Sequence, residues 1–302
     1  MLTVSAFYHF TPLSDPASLR GPLVDLCRSV GVKGTLILAG EGINGTIAGT
    51  ATGVAVVMAH LRALPGCGGL VAKDSLAAHM PFGRIKVRIK AEIVTMGQPD
   101  IDPLAAVGTY VDPVHWNALI AAPDVALIDT RNGYEVGIGT FQGATDPETA
   151  SFREFPGWWQ QNAARFTGKR VAMFCTGGIR CEKATSYLKS QGAGQVFHLR
   201  GGILKYLEQV PPDQSMWQGQ CFVFDQRVSV GHGLQPGGLE TCHACRRPLL
   251  DGDLTHPAYE PGVCCPQCVD DYSAEDRARF RQRHHQMMLA RDRGTRHLGQ
   301  EY

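Results

Sequence analysis

The stretch Arg170-Val171-Ala172-Met173-Phe174-Cys175-Thr176-Gly177-Gly178-Ile179-Arg180 places the tightest constraint on the fold. Residues 171–174 are an unbroken apolar run, the pattern of a strand buried on both faces, and Gly192 suits the end of a helix begun near Cys181. A cysteine therefore sits between the end of a strand and the start of a helix. Gly177 and Gly178 let the loop curl tightly, so its backbone N–H groups can converge on the sulfur. The helix N-terminus and Arg180 add positive potential, which favours thiolate over thiol. A cysteine that only packs behind a strand would need neither the glycine pair nor the arginine.

Strands and helices alternate around this loop. Trp116, Leu119 and Ile120 fit a short helix, and Val125–Ile128 reads as a buried strand ending at Asp129-Thr130-Arg131. Strand 171–174, the helix after Arg180, a strand over Gln195–His198 and a helix after Gly201-Gly202 continue the pattern. Alternation with reactive groups at strand C-termini predicts a parallel α/β sheet over residues 110–211. Cys181, in the first helical turn, is read as packing or, alternatively, as a resolving thiol.

At 302 residues the chain has room for more than this domain. Residues 1–97 read as β-α-β-β-α-β: strands at 2–10, 35–38 and 44–48, helices at 15–30 and 54–64, and strand-like segments near 70–73 and 84–94. That order predicts a ferredoxin-like, acylphosphatase-like α+β domain. Within it, Gly40-Glu41-Gly42-Ile43-Asn44-Gly45-Thr46 is a glycine-rich turn, for which a plain hairpin is the simplest account. Arg84, Lys86, Arg88 and Lys90 alternate with Ile85, Val87 and Ile89, so four cations share one strand face. Such a face can simply be solvated, but like charges at this spacing repel, and a phosphate backbone would relieve the repulsion. Formal charge is only +1, so any nucleic-acid site must be a local patch. Gln98-Pro99-Asp100-Ile101-Asp102-Pro103 reads as a linker.

Residues 219–302 form a third region. Cys242-His243-Ala244-Cys245 and Cys265-Pro266-Gln267-Cys268 are two Cys-x-x-Cys knuckles at zinc-ribbon spacing, and four thiolates suit a tetrahedral zinc ion. Cys264 competes with Cys265, but Cys265 leaves the usual two-residue gap. Ser273 and Asp276 are placed to cap a following helix. Between Ser273 and Tyr302 seven arginines face four acids, and Arg277, Arg281 and Arg283 are candidates for an RNA or partner surface. No leader or membrane-spanning run is legible, and ten cysteines suggest metal or catalysis rather than disulfides, so the cytoplasm is the expected location.

The Cys175 loop resembles the active-site loop of rhodanese domains, which curls around a persulfide-forming cysteine. Phosphatases of the Cys-x5-Arg type carry one residue more than separates Cys175 from Arg180, a shortfall that favours sulfur chemistry. Asp129-Thr130-Arg131 with Glu135, Gly143-Ala144 and Leu199-Arg200-Gly201-Gly202 are similar to further rhodanese elements, although Thr140 stands where those domains often carry His. Glu41 to Thr46, Arg84 to Lys90, Phe174 to Lys183, Gly201 to Leu207, Cys221-Phe222-Val223-Phe224-Asp225 and the paired knuckles occur in that order. In combination they resemble the rhodanese-related tRNA uridine hydroxylase family, over nearly the whole chain.

The resemblance implies oxygen-dependent conversion of the wobble uridine of certain tRNAs to 5-hydroxyuridine. Cys175 and Arg180 would be catalytic, Thr176, Gly177, Gly178 and Ile179 would form the loop, and Asp129 and Arg131 would brace it. The anticodon arm of tRNA is the implied partner, and molecular oxygen the co-substrate. No organic cofactor motif, membrane contact or protein partner is legible. A sulfurtransferase working through a Cys175 persulfide is the alternative.

Overall fold

The structure, a computed structural model, describes residues 1–294. The chain opens with β1 (Leu2–Phe10), α1 (Arg20–Ser29), β2 (Lys33–Ala39), β3 (Gly42–Gly49), α2 (Ala51–Ala63), β4 (Ala72–Ala77) and β5 (Ile85–Ile89). Their sheet has the order β4-β1-β3-β2-β5. The first four strands have the expected ferredoxin-like order, and β5 adds an edge strand parallel to β2. One face is apolar: Phe7, Leu36, Ile43, Ile47 and Val87 bury against Leu23 of α1 and Val57 and Leu61 of α2. The period of two along each strand sends Tyr8, Asn44, Arg88 and their neighbours to the other face.

Local chemistry adjusts the expected boundaries. The helix anticipated from residue 15 begins only at Arg20, because the Asp15 carboxylate accepts from the Ala17 and Ser18 amides and holds a turn. Extended pairing to β1 starts at Ala72 rather than Leu70. β5 leaves the sheet after Ile89, and the following loop carries Glu92 and Ile93 toward the second domain.

The second domain comprises β6 (Thr109–Val111), α3 (Pro113–Ile120), β7 (Val125–Asp129), α4 (Gly133–Val136), β8 (Gly139–Phe141), α5 (Phe155–Asn162), β9 (Arg170–Phe174), α6 (Ile179–Ser190), β10 (Val196–Leu199) and α7 (Gly202–Gln209). Its sheet, β6-β10-β9-β7, is parallel throughout. Val171 and Met173 face α5 and α6, while Ala172 and Phe174 face α3 and α7. Both faces of β9 are thus covered, which is why its sequence is apolar without alternation. The linker is docked rather than free: Ile101 packs on this core, Ser186 donates to the Asp102 carbonyl at 3.3 Å, and Lys189 to that of Val107 at 3.1 Å.

The remainder holds β11 (Trp217–Gly219), which pairs with β8, then β12 (Cys221–Phe222), β13 (Ser229–Val230), β14 (Glu240–Thr241), β15 (Pro248–Leu249), α8 (Asp251–Thr255) and α9 (Ala274–Asp292). Ser273 caps α9 as its sequence suggests, accepting from the Asp276 amide at 3.1 Å. Arg296, counted above among the tail cations, lies outside the described residues. Among the described residues no helix is long and apolar enough to cross a membrane.

Candidate active site

Cys175 lies directly beyond the C-terminal end of β9 and is fully buried. Gly178, at φ +104°, is the N-cap of α6, and its amide donates to the Cys175 sulfur at 3.1 Å. Burial works against ionisation of this thiol. A hydrogen bond from Cys181, the Arg180 charge and the amides of Cys181 and Gly178 more than offset it, so Cys175 titrates well below the usual thiol range. Cys181 is driven the opposite way, by burial and by its anionic neighbour, and stays protonated as a donor. Gly202, at φ +68°, closes the loop from behind, since a Cβ there would come 2.5 Å from the Cys175 carbonyl. The amides of Ile203 and Leu204 donate to the carbonyls of Cys175 and Thr176 at 3.0 and 3.1 Å.

Arg180 does not reach freely into the site. Its terminal nitrogens bind both oxygens of Glu135, at 2.6 and 2.8 Å, and one also reaches the Thr176 hydroxyl at 3.3 Å. The arginine therefore acts on the sulfur through its field. Asp129 and Arg131 form a fully buried pair at 2.6 Å, and Arg131 also donates to the carbonyls of Glu135 and Gly139. Thr140, at the position where rhodanese domains often carry His, donates to Asp129 at 2.9 Å and completes this brace.

The N-terminal domain supplies the other half of the site. The Tyr8 hydroxyl donates to Glu182 at 2.6 Å, and a Cβ on Gly178 would come 2.7 Å from that hydroxyl, so the loop glycine permits the two domains to meet. Lys73 of β4 donates to the Gly177 carbonyl and lies 5.2 Å from the centre of the Tyr8 ring. Burial lowers its pKa to about 8, against the pull of Cys175 and Glu182. Lys183, fully buried, binds Glu41 at 2.9 Å and Glu92 at 2.5 Å. The glycine-rich turn is thus more than a hairpin: Glu41 docks the domains, accepting also from the Ile93 amide at 2.6 Å, while Asn44 donates to the Ile93 carbonyl at 2.9 Å. Tyr8, Lys73 and Glu92 carry no motif of their own. The acid in the turn and the Glu182-Lys183 pair were the only legible hints of this contact.

Between the domains lies a cavity of about 570 Å³ whose walls include Cys175, Tyr8, Lys73 and Asn44. Arg88 and Lys90 also line it, with Lys86 and Arg84 continuing the cationic face along β5. Among the described residues none of these four side chains has a carboxylate partner. The arginines of α9 are situated differently. Arg277 donates to the Val269 carbonyl at 3.0 Å, Arg283 to that of His243 at 2.8 Å, and Arg281 pairs with Glu260 at 2.5 Å. Instead of forming an open basic face, they bind the helix to the cysteine-rich segment.

In that segment the sulfurs of Cys242, Cys245, Cys265 and Cys268 lie within 4.8 Å of one another, a set that could hold a metal ion. Cys264 turns away and donates to the Ala258 carbonyl at 3.3 Å, which excludes it from the cluster.

Residues 2–93 match the family described as "UPF0176 acylphosphatase like domain", and residues 114–209 match "Rhodanese-like domain". A curated protein of Ruegeria pomeroyi named tRNA uridine(34) hydroxylase is 62% identical over 298 residues, 99% of each chain. One of the same name from Jannaschia sp. is 60% identical over 299 residues, again 99% of each, and one from Agrobacterium fabrum is 57% identical over 98% of this chain and 94% of its own. Identity at this level over nearly the full length of each chain settles the family: the chain belongs to the tRNA uridine(34) hydroxylase family.

Proposed function

We propose that this protein hydroxylates C5 of the wobble uridine of tRNA, with Cys175 as the nucleophile and molecular oxygen as co-substrate. The observation that carries this reading is a loop sulfur, held by the Gly178 amide at 3.1 Å, that lines a cavity between two domains together with cations that have no carboxylate partner among the described residues. Uracil C5 is a poor nucleophile until something adds at C6. Addition of the Cys175 thiolate to C6 pushes the C5–C6 electron pair through C4 onto O4, leaving C5 enolate-like. C5 then bonds to one oxygen atom of O2. Loss of the C5 proton expels the sulfur and restores the double bond, while the second oxygen leaves as water with two electrons and two protons from an external reductant. Thr176, Gly177, Gly178 and Ile179 shape the sulfur's loop, and Arg180, Asp129 and Arg131 position it.

Wobble nucleosides from cells lacking the gene, complemented with the wild-type chain, test the reading by mass spectrometry. The expected result is 5-hydroxyuridine restored on complementation. A thiolated product, or persulfide transfer from thiosulfate indifferent to RNA, would support the sulfurtransferase reading instead.

Lys73, which lines the same cavity as Cys175, supplies a cation that favours charge on O4. It bears its charge below about pH 8 and loses it above, so the single-turnover rate should fall as pH rises through that value. Lys73→Met should remove this alkaline fall and slow the reaction roughly tenfold at pH 7, the effect of about 1.4 kcal/mol.

The strand cations Arg84, Lys86, Arg88 and Lys90 are proposed to hold the phosphates of the anticodon arm. A charged edge strand also blocks unwanted strand pairing, which gives these residues a structural use as well. Replacing all four with Gln should weaken tRNA binding and reduce its logarithmic salt slope by about 3. An unchanged slope would leave the face with only its edge role.

The cysteine cluster is proposed to bind one zinc ion. Four thiolates at about 2.3 Å from a central ion stand about 3.8 Å apart. Three pairs here lie at 3.9, 3.8 and 3.7 Å. Metal analysis should find one zinc per chain, retained in Cys264→Ser and lowered in Cys265→Ser.

A further inference from the structure

Phe224 belongs to the motif Cys221-Phe222-Val223-Phe224-Asp225, to which neither the cysteine loop nor the docking contacts assign a task. Its neighbours Phe222 and Val223 are buried, whereas Phe224 is 61% exposed. The turn that carries it is firmly held. Val223 donates to the Val228 carbonyl at 2.8 Å, and the Asp225 carboxylate accepts from the Arg227 guanidinium at 2.9 and 2.6 Å. Arg227 reaches across to the N-terminal domain, donating to Ser75 of β4 at 2.7 Å, and the Gln226 amide donates to the Pro81 carbonyl at 3.4 Å. Beneath the exposed ring, Phe222 meets it edge-on at 5.1 Å and is itself met edge-on by Tyr134 at 5.4 Å. A large apolar ring is thus fixed in an exposed position by a turn clamped at both ends.

Its location narrows what could cover it. Phe224 lines the Cys175 cavity together with Arg88 and Lys90, and it also lines a second cavity whose walls include Phe82, Tyr134 and Arg246. The ring therefore stands between the two spaces and shares the first with Arg88 and Lys90, which have no carboxylate partner among the described residues. A partner with flat apolar faces on a polyanionic backbone complements both features, and single-stranded RNA has this chemistry. An acidic peptide would satisfy the cations but would present no stacking face.

We propose that Phe224 is a stacking platform for a nucleobase of the RNA, next in the strand to the base that enters the Cys175 cavity. This rests on the tRNA reading above and deepens it. The phosphates follow β5, one base stacks on Phe224, and the stack holds the strand splayed so that the target uridine can turn inward. Phe224 touches no reacting atom and is a positioning residue.

The test compares full-length wild type, Phe224→Ala, Phe224→Leu and Phe224→Trp for binding to an anticodon stem-loop RNA across a salt series. Ala and Leu should each raise Kd by about 5- to 150-fold, the range for loss of one base–aromatic stack, while Trp restores affinity. The salt slope should stay unchanged in all four, because stacking releases no counterions. Alkylation of Cys175 by a small thiol reagent should also be unchanged, which shows that the variants are folded around the site. Stem-loops made abasic at the nucleotides flanking the wobble position should bind wild type and Phe224→Ala alike at one of the two positions. The proposal is overturned if Leu binds like wild type, since packing and not stacking would then explain the residue. Equal binding of wild type and Ala to the intact stem-loop would also overturn it, and would leave the tRNA reading intact. No stem-loop binding by wild type at low salt would instead remove the tRNA reading, and this proposal with it.

Discussion

Cys175→Ser protein is expected to fold normally, bind tRNA normally and form no detectable 5-hydroxyuridine. The substitution exchanges one atom in a buried loop, so packing is nearly conserved. Its chemistry is not. The hydrogen bonds from Gly178 and Cys181 and the field of Arg180 suffice to hold a thiol ionised, but a serine hydroxyl is far too weak an acid to respond. Turnover should drop on the order of 10³-fold or more, as when a covalent nucleophile is removed elsewhere. The same electrostatics predict a pH profile for alkylation of the wild-type sulfur. Because the folded-state pKa is depressed, thiolate persists below the ordinary thiol range, and the rate should fall only as pH drops through the depressed value. The ionised loop stabilises the fold above the unfolded thiol pKa, and that contribution is lost progressively as pH falls from there through the depressed value. An alkylation rate that rises only near pH 8–9, as for a free thiol, would refute the thiolate assignment.

The largest stability effect should come from Glu135→Ala. Glu135 accepts from Arg180 through both oxygens and from the Asn132 amide at 3.1 Å, and both charged partners are buried. Removing the carboxylate leaves the buried Arg180 guanidinium with Thr176 as its one hydrogen-bond partner among the described residues, a loss of about 3–5 kcal/mol. Urea unfolding should show a lower midpoint with an unchanged slope. Burial raises the Glu135 pKa, but the Arg180 charge and hydrogen bonds outweigh it, and the carboxyl titrates below its usual range. Its contribution is therefore present above the unfolded carboxyl pKa and lost as pH falls through the depressed one. Glu135→Gln should lose less, because the amide keeps an acceptor for Arg180. Equal midpoints for wild type and Glu135→Ala would mean that Arg180 finds another partner.

The domain folds and the cysteine sites were legible in the sequence because each rests on short-range pattern. Residues 171–174 are apolar on consecutive positions since β9 is covered on both faces, and Gly178, at φ +104°, holds a left-handed backbone conformation that only glycine adopts cheaply. The knuckles bring four sulfurs together through spacing alone, and alternation along residues 84–90 is enough to put four cations on one face. The tertiary structure decided what those groups do to one another. Arg180 reads as a free cation beside the sulfur until Glu135, 45 residues earlier, is folded against it. Arg277, Arg281 and Arg283 read as a basic face until the carbonyls and the carboxylate that hold them are brought near. Tyr8 and Lys73 enter the site where the domains meet, as Tyr8 contacts Glu182, 174 residues away, and Lys183 docks onto Glu41 and Glu92, 142 and 91 residues away. Periodicity records which way a side chain points within its own element. Pairing across such separations depends on how whole domains pack, and a charge shows its role only once its partner, or the lack of one, is in place.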